Sequence, residues 1–130
     1  GHIISNGKQM KEFWEYLIKN YPLYQKYIGF VVDFRTMYTQ VSKDHSNNIN
    51  SHFINNIEMI PDESIKGCHI HNLHTKAPTI RDDVPWLSVF KKITNVKNDL
   101  ILNPEVFSLR LALETKNFCI YMINEAKNVI

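Results

Sequence analysis

The sequence has little cysteine. Cys68 and Cys119 are the only two in 130 residues, and neither belongs to a Cys-x-x-Cys pair. A disulfide framework or a structural zinc site needs more cysteines at closer spacing. We therefore expect a fold that is held together by its hydrophobic core, in a reducing compartment such as the cytoplasm.

The sequence also lacks a long hydrophobic run. No stretch approaches the roughly 18 to 20 apolar residues that a membrane-spanning helix needs. The first residues do not show the charged-then-apolar order of a signal peptide. We therefore expect no membrane partner.

The sequence also lacks a large excess of either charge. The formal net charge is +2, and the lysines are scattered singly or in pairs such as Lys91-Lys92. This gives no electrostatic case for a nucleic-acid partner. With 44% hydrophobic and 22% charged residues, the composition is ordinary for a globular protein and predicts one domain over residues 1–130.

Apolar periodicity predicts alternating helices and strands. Helical spacing occurs at residues 10–21, 53–59, 85–93 and 108–128, and apolar runs typical of strands occur at 27–32, 65–72 and 100–106. We predict that the first strand is buried on both faces, that Pro104 ends regular pairing in the third, and that 42–50 and 75–83 are loops. The order implies right-handed βαβ units, hence an α/β fold with a parallel sheet, of which a small doubly wound sheet is one form.

Polar side chains occur where the three predicted strands end. Alternation places Asp33 at the end of the first strand, His69 and His71 on one face of the second, and Asn103 and Glu105 on one face of the third. Because the carboxyl ends of parallel strands share one edge, these five side chains are expected to converge. Imidazoles and carboxylates suit a divalent metal such as zinc, manganese, cobalt or magnesium, and the same groups could act as acid and base.

Each of these residues also has a purely structural interpretation. Asp33 could cap a turn or helix, His69 could be a core histidine bonded to the backbone, and His71 could be solvated. Glu105 could form an ion pair, and Asn103 could satisfy local backbone groups.

The roles of several other polar and aromatic residues are less specific. Arg35 could hold a phosphate or carboxylate near Asp33, or form a surface ion pair. Asp82-Asp83 is best explained as the start of the helix near Pro85. Trp14 and Trp86 are expected in the core, and His74 has no spacing argument for a role.

Three segments resemble the late strands of the xylose-isomerase-like TIM barrels. They are residues 65–72 (IKGCHIHN), 82–86 (DDVPW) and 100–105 (LILNPE). Residues 29–33 (GFVVD) are similar to the earlier strand that ends in a metal-binding aspartate. That group includes sugar phosphate isomerases and epimerases and the endonuclease IV-type enzymes. Because a full barrel needs about 250 residues, the resemblance implies the second half of a barrel, about four of its eight βα units.

The resemblance also implies roles for individual residues. By position, Asp33, His69 and Glu105 would hold the divalent metal. On the isomerase hypothesis, Glu105 and His71 would move the proton, and Arg35, Asn103 and His71 would contact a small sugar or sugar phosphate. The chain departs from the family pattern at two places. Family members often have a histidine shortly after the strand-end aspartate, where this chain has Arg35-Thr36, and often another after the loop aspartate, where this chain has Val84. Residues 1–7 resemble the remains of the strand that provides the first glutamate, which is absent.

These observations lead to one preferred function and two alternatives. The preferred function is a metal-dependent sugar or sugar-phosphate isomerase or epimerase. The alternatives are a non-catalytic carbohydrate-binding or assembly module and an endonuclease IV-type phosphodiesterase. Because a half-barrel leaves strand edges unpaired, we expect either a homodimer or a missing amino-terminal half as partner.

Overall fold

The structure is a computed structural model that describes residues 6–128. Within that range the helices are α1 (Gly7–Asn20), α2 (Phe34–Asp44), α3 (Ile49–Met59), α4 (Trp86–Thr94) and α5 (Leu109–Asn128), and the strands are β1 (Phe30–Asp33), β2 (Ile65–Ile70) and β3 (Ile101–Pro104). Single 3-10 turns lie at Pro22–Tyr24 and Asp62–Ser64. Most of the predicted strand remnant at residues 1–7 lies outside the described residues, and Gly7 begins α1.

The three strands form one parallel sheet in the order β1-β2-β3. In the register of the sheet, Asp33 lies beside His69, and His69 lies beside Asn103. The predicted α/β class with a parallel sheet is therefore confirmed. Pro104 is the last residue of β3, as predicted, and it lies on an edge strand, where a missing N–H is tolerated.

The helix α2 was not predicted, and the expected loop at 42–50 is shorter than its prediction. The Asp33 carboxylate accepts a hydrogen bond from the Thr36 N–H at 2.9 Å, which caps the first turn. Helical spacing then buries Phe34, Met37 and Val41. Only residues 45–48 separate α2 from α3.

The helices cover one face of the sheet and leave the other exposed. On the covered face Val32, Cys68 and Ile70 are at most 1% exposed and belong to the core. On the other face Val31 is 60% exposed and Ile101 is 74% exposed. The prediction that the first strand is buried on both faces is therefore wrong, because no described element packs against its second face.

The expected core residues and the cysteines are well placed. Trp14 and Trp86 are buried, as predicted. Cys68 and Cys119 are buried and free, and burial raises the pKa of Cys68 to about 12 and that of Cys119 to about 11. Such thiols stay protonated and behave as small hydrophobic groups. None of the described helices has both the length and the apolar content to cross a membrane.

Candidate metal centre at the carboxyl ends of the strands

The polar residues named from the sequence lie at one end of the sheet. Asp33 ends β1, His69 lies near the end of β2, and Asn103 lies near the end of β3. The Glu105 N–H donates to the Ile70 carbonyl at 3.1 Å and so continues the pairing one step past Pro104. Strand register and this hydrogen bond therefore bring Glu105 close to the histidines that follow β2.

Four side chains form a compact group of potential metal ligands. Asp33, His71, His74 and Glu105 each offer one ligand atom, and these atoms all lie within 4.8 Å of one another. His71 Nε2 lies 3.0 Å and 2.9 Å from the two carboxylate oxygens of Asp33 and 3.9 Å from Glu105 Oε2. His74 Nδ1 lies 3.7 Å from the same Glu105 oxygen. The group is made of nitrogen and oxygen donors, with no thiol.

His69, which the resemblance implied as a ligand, lies beside this group. Its Nδ1 is 3.0 Å from Glu105 Oε2, and its side chain is about one third exposed. His69 is not one of the four residues whose ligand atoms all lie within 4.8 Å of one another. In this structure His69 thus contacts and orients the Glu105 carboxylate.

His71 is buried, and both of its ring nitrogens have partners. Nδ1 accepts a hydrogen bond from the His74 N–H at 3.1 Å, so the proton of the neutral ring is on Nε2, which donates to Asp33. With 1% of the residue exposed, a substrate has little access to it. This arrangement favours a positioning role for His71 over a direct contact with substrate.

His74 is the member of the group that sequence reasoning missed. Leu73 and His74 have φ values of 59° and 63°, a left-handed conformation that is costly for residues with a Cβ. The tight turn folds the His74 ring back onto the His71 ring, with centroids 3.8 Å apart. His74 Nδ1 also lies 3.1 Å from the Glu105 carbonyl oxygen. The sequence signal for His74 was its position three residues after His71. This spacing predicts a shared site only when the turn at Leu73 and His74 is known.

Asp33 is held as a carboxylate. Burial raises the pKa of Asp33, but hydrogen bonds from the His71 ring and from the Thr36 N–H lower it, and the net pKa lies below its ordinary value. Asp33 therefore has two roles, because its Oδ1 caps α2 and both of its oxygens contact the His71 ring. An ionised, partly buried carboxylate is suited to a bound cation.

The predicted substrate contacts are less closely associated with the group. Asn103 is exposed beside His69 on the open face of the sheet. Arg35 stacks over the Tyr38 ring, 5.8 Å from its centroid, and its Nε is buried without a hydrogen-bond partner among residues 6–128. The roles of both residues in binding substrate stay predictions.

Asp82 has a different task from the one predicted for Asp82-Asp83. The residue before α4 is Pro85, and no side chain caps that helix. Asp82 instead accepts hydrogen bonds from the Trp86 indole N–H at 3.0 Å, from the Asn72 amide at 3.0 Å and from the Thr79 N–H at 2.9 Å. The prediction of a helix-start signal is therefore wrong for Asp82, which fastens the loop after β2 to the first residue of α4.

Comparison with protein-family models, with curated proteins and with solved structures finds no match to this chain.

Proposed function

We propose that this chain binds a divalent metal with Asp33, His71, His74 and Glu105 and acts as a sugar or sugar-phosphate isomerase or epimerase. The observation that carries the proposal is the mutual distance of four ligand atoms, all within 4.8 Å, at the carboxyl ends of three parallel strands. Ligand sites in open parallel sheets lie at this end of the strands.

The donor chemistry fits a metal of the zinc, manganese, cobalt or magnesium group. Two imidazoles and two carboxylates are typical ligands of these ions, whereas thiol ligands would have favoured zinc or copper alone. Glu105 has a further partner in His69, which hydrogen-bonds to the carboxylate. Such supporting contacts orient ligands in metal centres.

His71 must change its protonation to take part. The proton on Nε2 occupies the electron pair that would bind a metal, so the ring must carry its proton on Nδ1 instead. The His74 N–H then loses its acceptor on Nδ1. We therefore infer that the 71–74 turn adjusts when the site is loaded and that protons compete with the ion.

The proposed reaction moves a proton between neighbouring carbons of the sugar. A bound divalent ion supplies Lewis acidity that polarises the hydroxyl and carbonyl oxygens of the substrate. Glu105 is 39% exposed in its side chain, so it can reach a substrate carbon and accept and return the proton. Asn103, exposed beside His69, is suited to hold a hydroxyl group, and Arg35 would take a phosphate.

The uncovered sheet face supports the proposed half-barrel. In a TIM barrel the inner face of the sheet is covered by the strands opposite. Val31 and Ile101 are the apolar residues that such strands would cover here. We propose that this surface is closed by further βα units, either of an amino-terminal half or of a second copy.

The two alternative functions have less support. An endonuclease IV-type phosphodiesterase needs several metals, and residues 6–128 contain one group of this kind. A non-catalytic carbohydrate-binding or assembly module would keep the fold without needing the ion. Metal content separates this alternative from the preferred function.

The decisive experiment is metal titration of the purified protein. We expect one equivalent of zinc or manganese by elemental analysis after dialysis, and a loss of at least tenfold in affinity for His74→Ala and for Glu105→Gln. His52→Ala is the matched control, because His52 stacks on His45 away from the site. A metal-free wild-type protein, or full binding by both site variants, would overturn the proposal.

Activity is tested separately with the loaded protein. Incubation with aldoses, ketoses and their phosphates in heavy water should introduce deuterium at the carbon next to the carbonyl group, as detected by NMR. If the metal-loaded protein introduces deuterium into none of these sugars, the metal site would stand but the isomerase hypothesis would be contradicted.

A further inference from the structure

A cavity lies on the helical side of the protein, formed by the loop before α4, the first turn of α4 and the carboxyl-terminal part of α5. Its volume is about 370 Å³, within the range of small-molecule sites. The lining residues are Asn50, Ile80, Asp82, Asp83, Val84, Pro85, Trp86, Leu87, Tyr121, Met122 and Glu125. None of them belongs to the four ligand residues of the candidate metal centre.

The apolar wall of this cavity is held in place. Trp86 is buried, and the hydrogen bond from its indole N–H to Asp82 fixes the orientation of the ring. Phe118 packs edge-on against the same ring, with centroids 5.8 Å apart. Leu87 and Tyr121 lie on this fixed base and are exposed, so the apolar part of the cavity is preformed.

The charge at the cavity is negative. Its charged lining residues are the three carboxylates Asp82, Asp83 and Glu125, and none of the described lining residues is basic. Asp82 is occupied by its hydrogen bonds to Trp86, Asn72 and Thr79. Asp83 and Glu125 are exposed and form no ion pair within residues 6–128.

Arg35 is not ion-paired with Asp83 in the described residues. Its guanidinium stacks on the Tyr38 ring. Asp83 and Glu125 therefore face solvent in a cavity that is also lined by the half-exposed Tyr121 ring. This combination complements a cation with an apolar body, because both carboxylates and aromatic rings attract an ammonium group.

We propose that this cavity binds a small organic ammonium ion. The ammonium group lies between Asp83 and Glu125, and the apolar body lies against Leu87 and Tyr121, the accessible apolar residues of the lining. The proposal is independent of the metal centre, because the two sets of lining residues do not overlap.

The test uses two probes of the same shape and different charge, 2-phenylethylammonium and 2-phenylethanol. They are titrated at millimolar concentration into the metal-free protein, with binding followed by NMR shifts of the Trp86 indole N–H. We expect the cation to bind at least tenfold more tightly than the alcohol. Equal binding of the two probes, or no response to the cation, would overturn the proposal.

Variants then locate the charge effect. Asp83→Asn and Glu125→Gln should each weaken binding of the cation by about fivefold, which corresponds to about 1 kcal/mol. Asp99→Asn removes the same charge from an exposed residue outside the cavity and should leave binding unchanged. If Asp99→Asn weakens binding as much as the cavity variants, the effect is one of net charge, and the assigned site is wrong.

Discussion

The two faces of the sheet differ sharply although the same strands form both. Val32, Cys68 and Ile70 on the helical face are at most 1% exposed, whereas Val31 and Ile101 on the opposite face are mostly exposed. Burial of an aliphatic side chain stabilises a fold by about 1.5–3 kcal/mol. The helical face therefore supplies stability, whereas the exposed side chains of the open face contribute little to it.

The polar groups follow the same division. Asp33, His69 and Asn103 form one row across the strands, in alternation with the buried residues. Side chains on the open face can reach a ligand without disturbing the core. One sheet thus combines a face that packs in the core with a face that carries the polar residues at the strand ends.

The largest expected effect tests this division directly. Ile70→Ala on the helical face should lower the free energy of unfolding by about 2–5 kcal/mol, because it leaves a cavity among fully buried residues. Val31→Ala, on the open face, should change it by less than about 0.5 kcal/mol. Urea denaturation of both variants measures the difference. Similar losses in the two variants would mean that the open face is covered in solution.

A smaller effect is expected at Asp33, which serves both the fold and the site. Asp33→Asn keeps an acceptor for the Thr36 N–H but removes the charge that faces His71. We expect a loss of stability of about 1 kcal/mol together with a loss of metal affinity of at least tenfold. Asp44→Asn is the control, since it removes the same charge from an exposed residue of α2 outside the ligand group and should leave metal affinity unchanged. Unchanged metal affinity in Asp33→Asn would remove Asp33 from the ligand set.

The pH dependence of stability follows from the lowered pKa of Asp33. A carboxyl group whose folded pKa lies below its unfolded value stabilises the fold above the unfolded pKa, about 4. This contribution is lost as the pH falls through the folded pKa. Unfolding free energies of the metal-free protein from pH 6 to pH 2 should therefore fall less steeply for Asp33→Asn than for the wild type. Parallel curves would show that Asp33 is not held as a carboxylate by the fold.

The smallest effect on stability is expected on the open face, where the readout is association. Ile101→Asp places a charge on an exposed position and should change stability by less than about 0.5 kcal/mol. If a second copy covers this face, sedimentation velocity should show a dimer for the wild type and a monomer for this variant. Leu113→Asp is the control, because Leu113 is an exposed residue of α5 away from the open face of the sheet, and this variant should remain dimeric. A monomeric wild type would exclude the second copy as the partner.

Much of the secondary structure could be predicted because its signals are local. The helical pattern at α1 and the apolar run of β2 occur close to their predicted positions, and Pro104 ends β3. The run before β1 was misleading, since Tyr27 and Ile28 are apolar but exposed and precede the strand. Apolar composition alone does not reveal whether a segment pairs in a sheet.

The site was harder to predict because it depends on contacts between distant residues. Asp33 and Glu105 were named from strand ends, but His74 joins them only through a left-handed turn at Leu73 and His74. Asp82 looked like a helix-start residue and instead binds the Trp86 indole, four residues away. The path of the backbone between two residues decides whether their side chains meet.

The sequence by itself determined the alternation of helices and strands and the shared parity of Asp33, His69 and Asn103, because periodicity and strand alternation depend only on neighbouring residues. The tertiary structure decided which face of the sheet the helices cover and which histidines meet the two carboxylates. The physical reason is that covering a face and closing a ligand group both require packing between segments far apart in the chain.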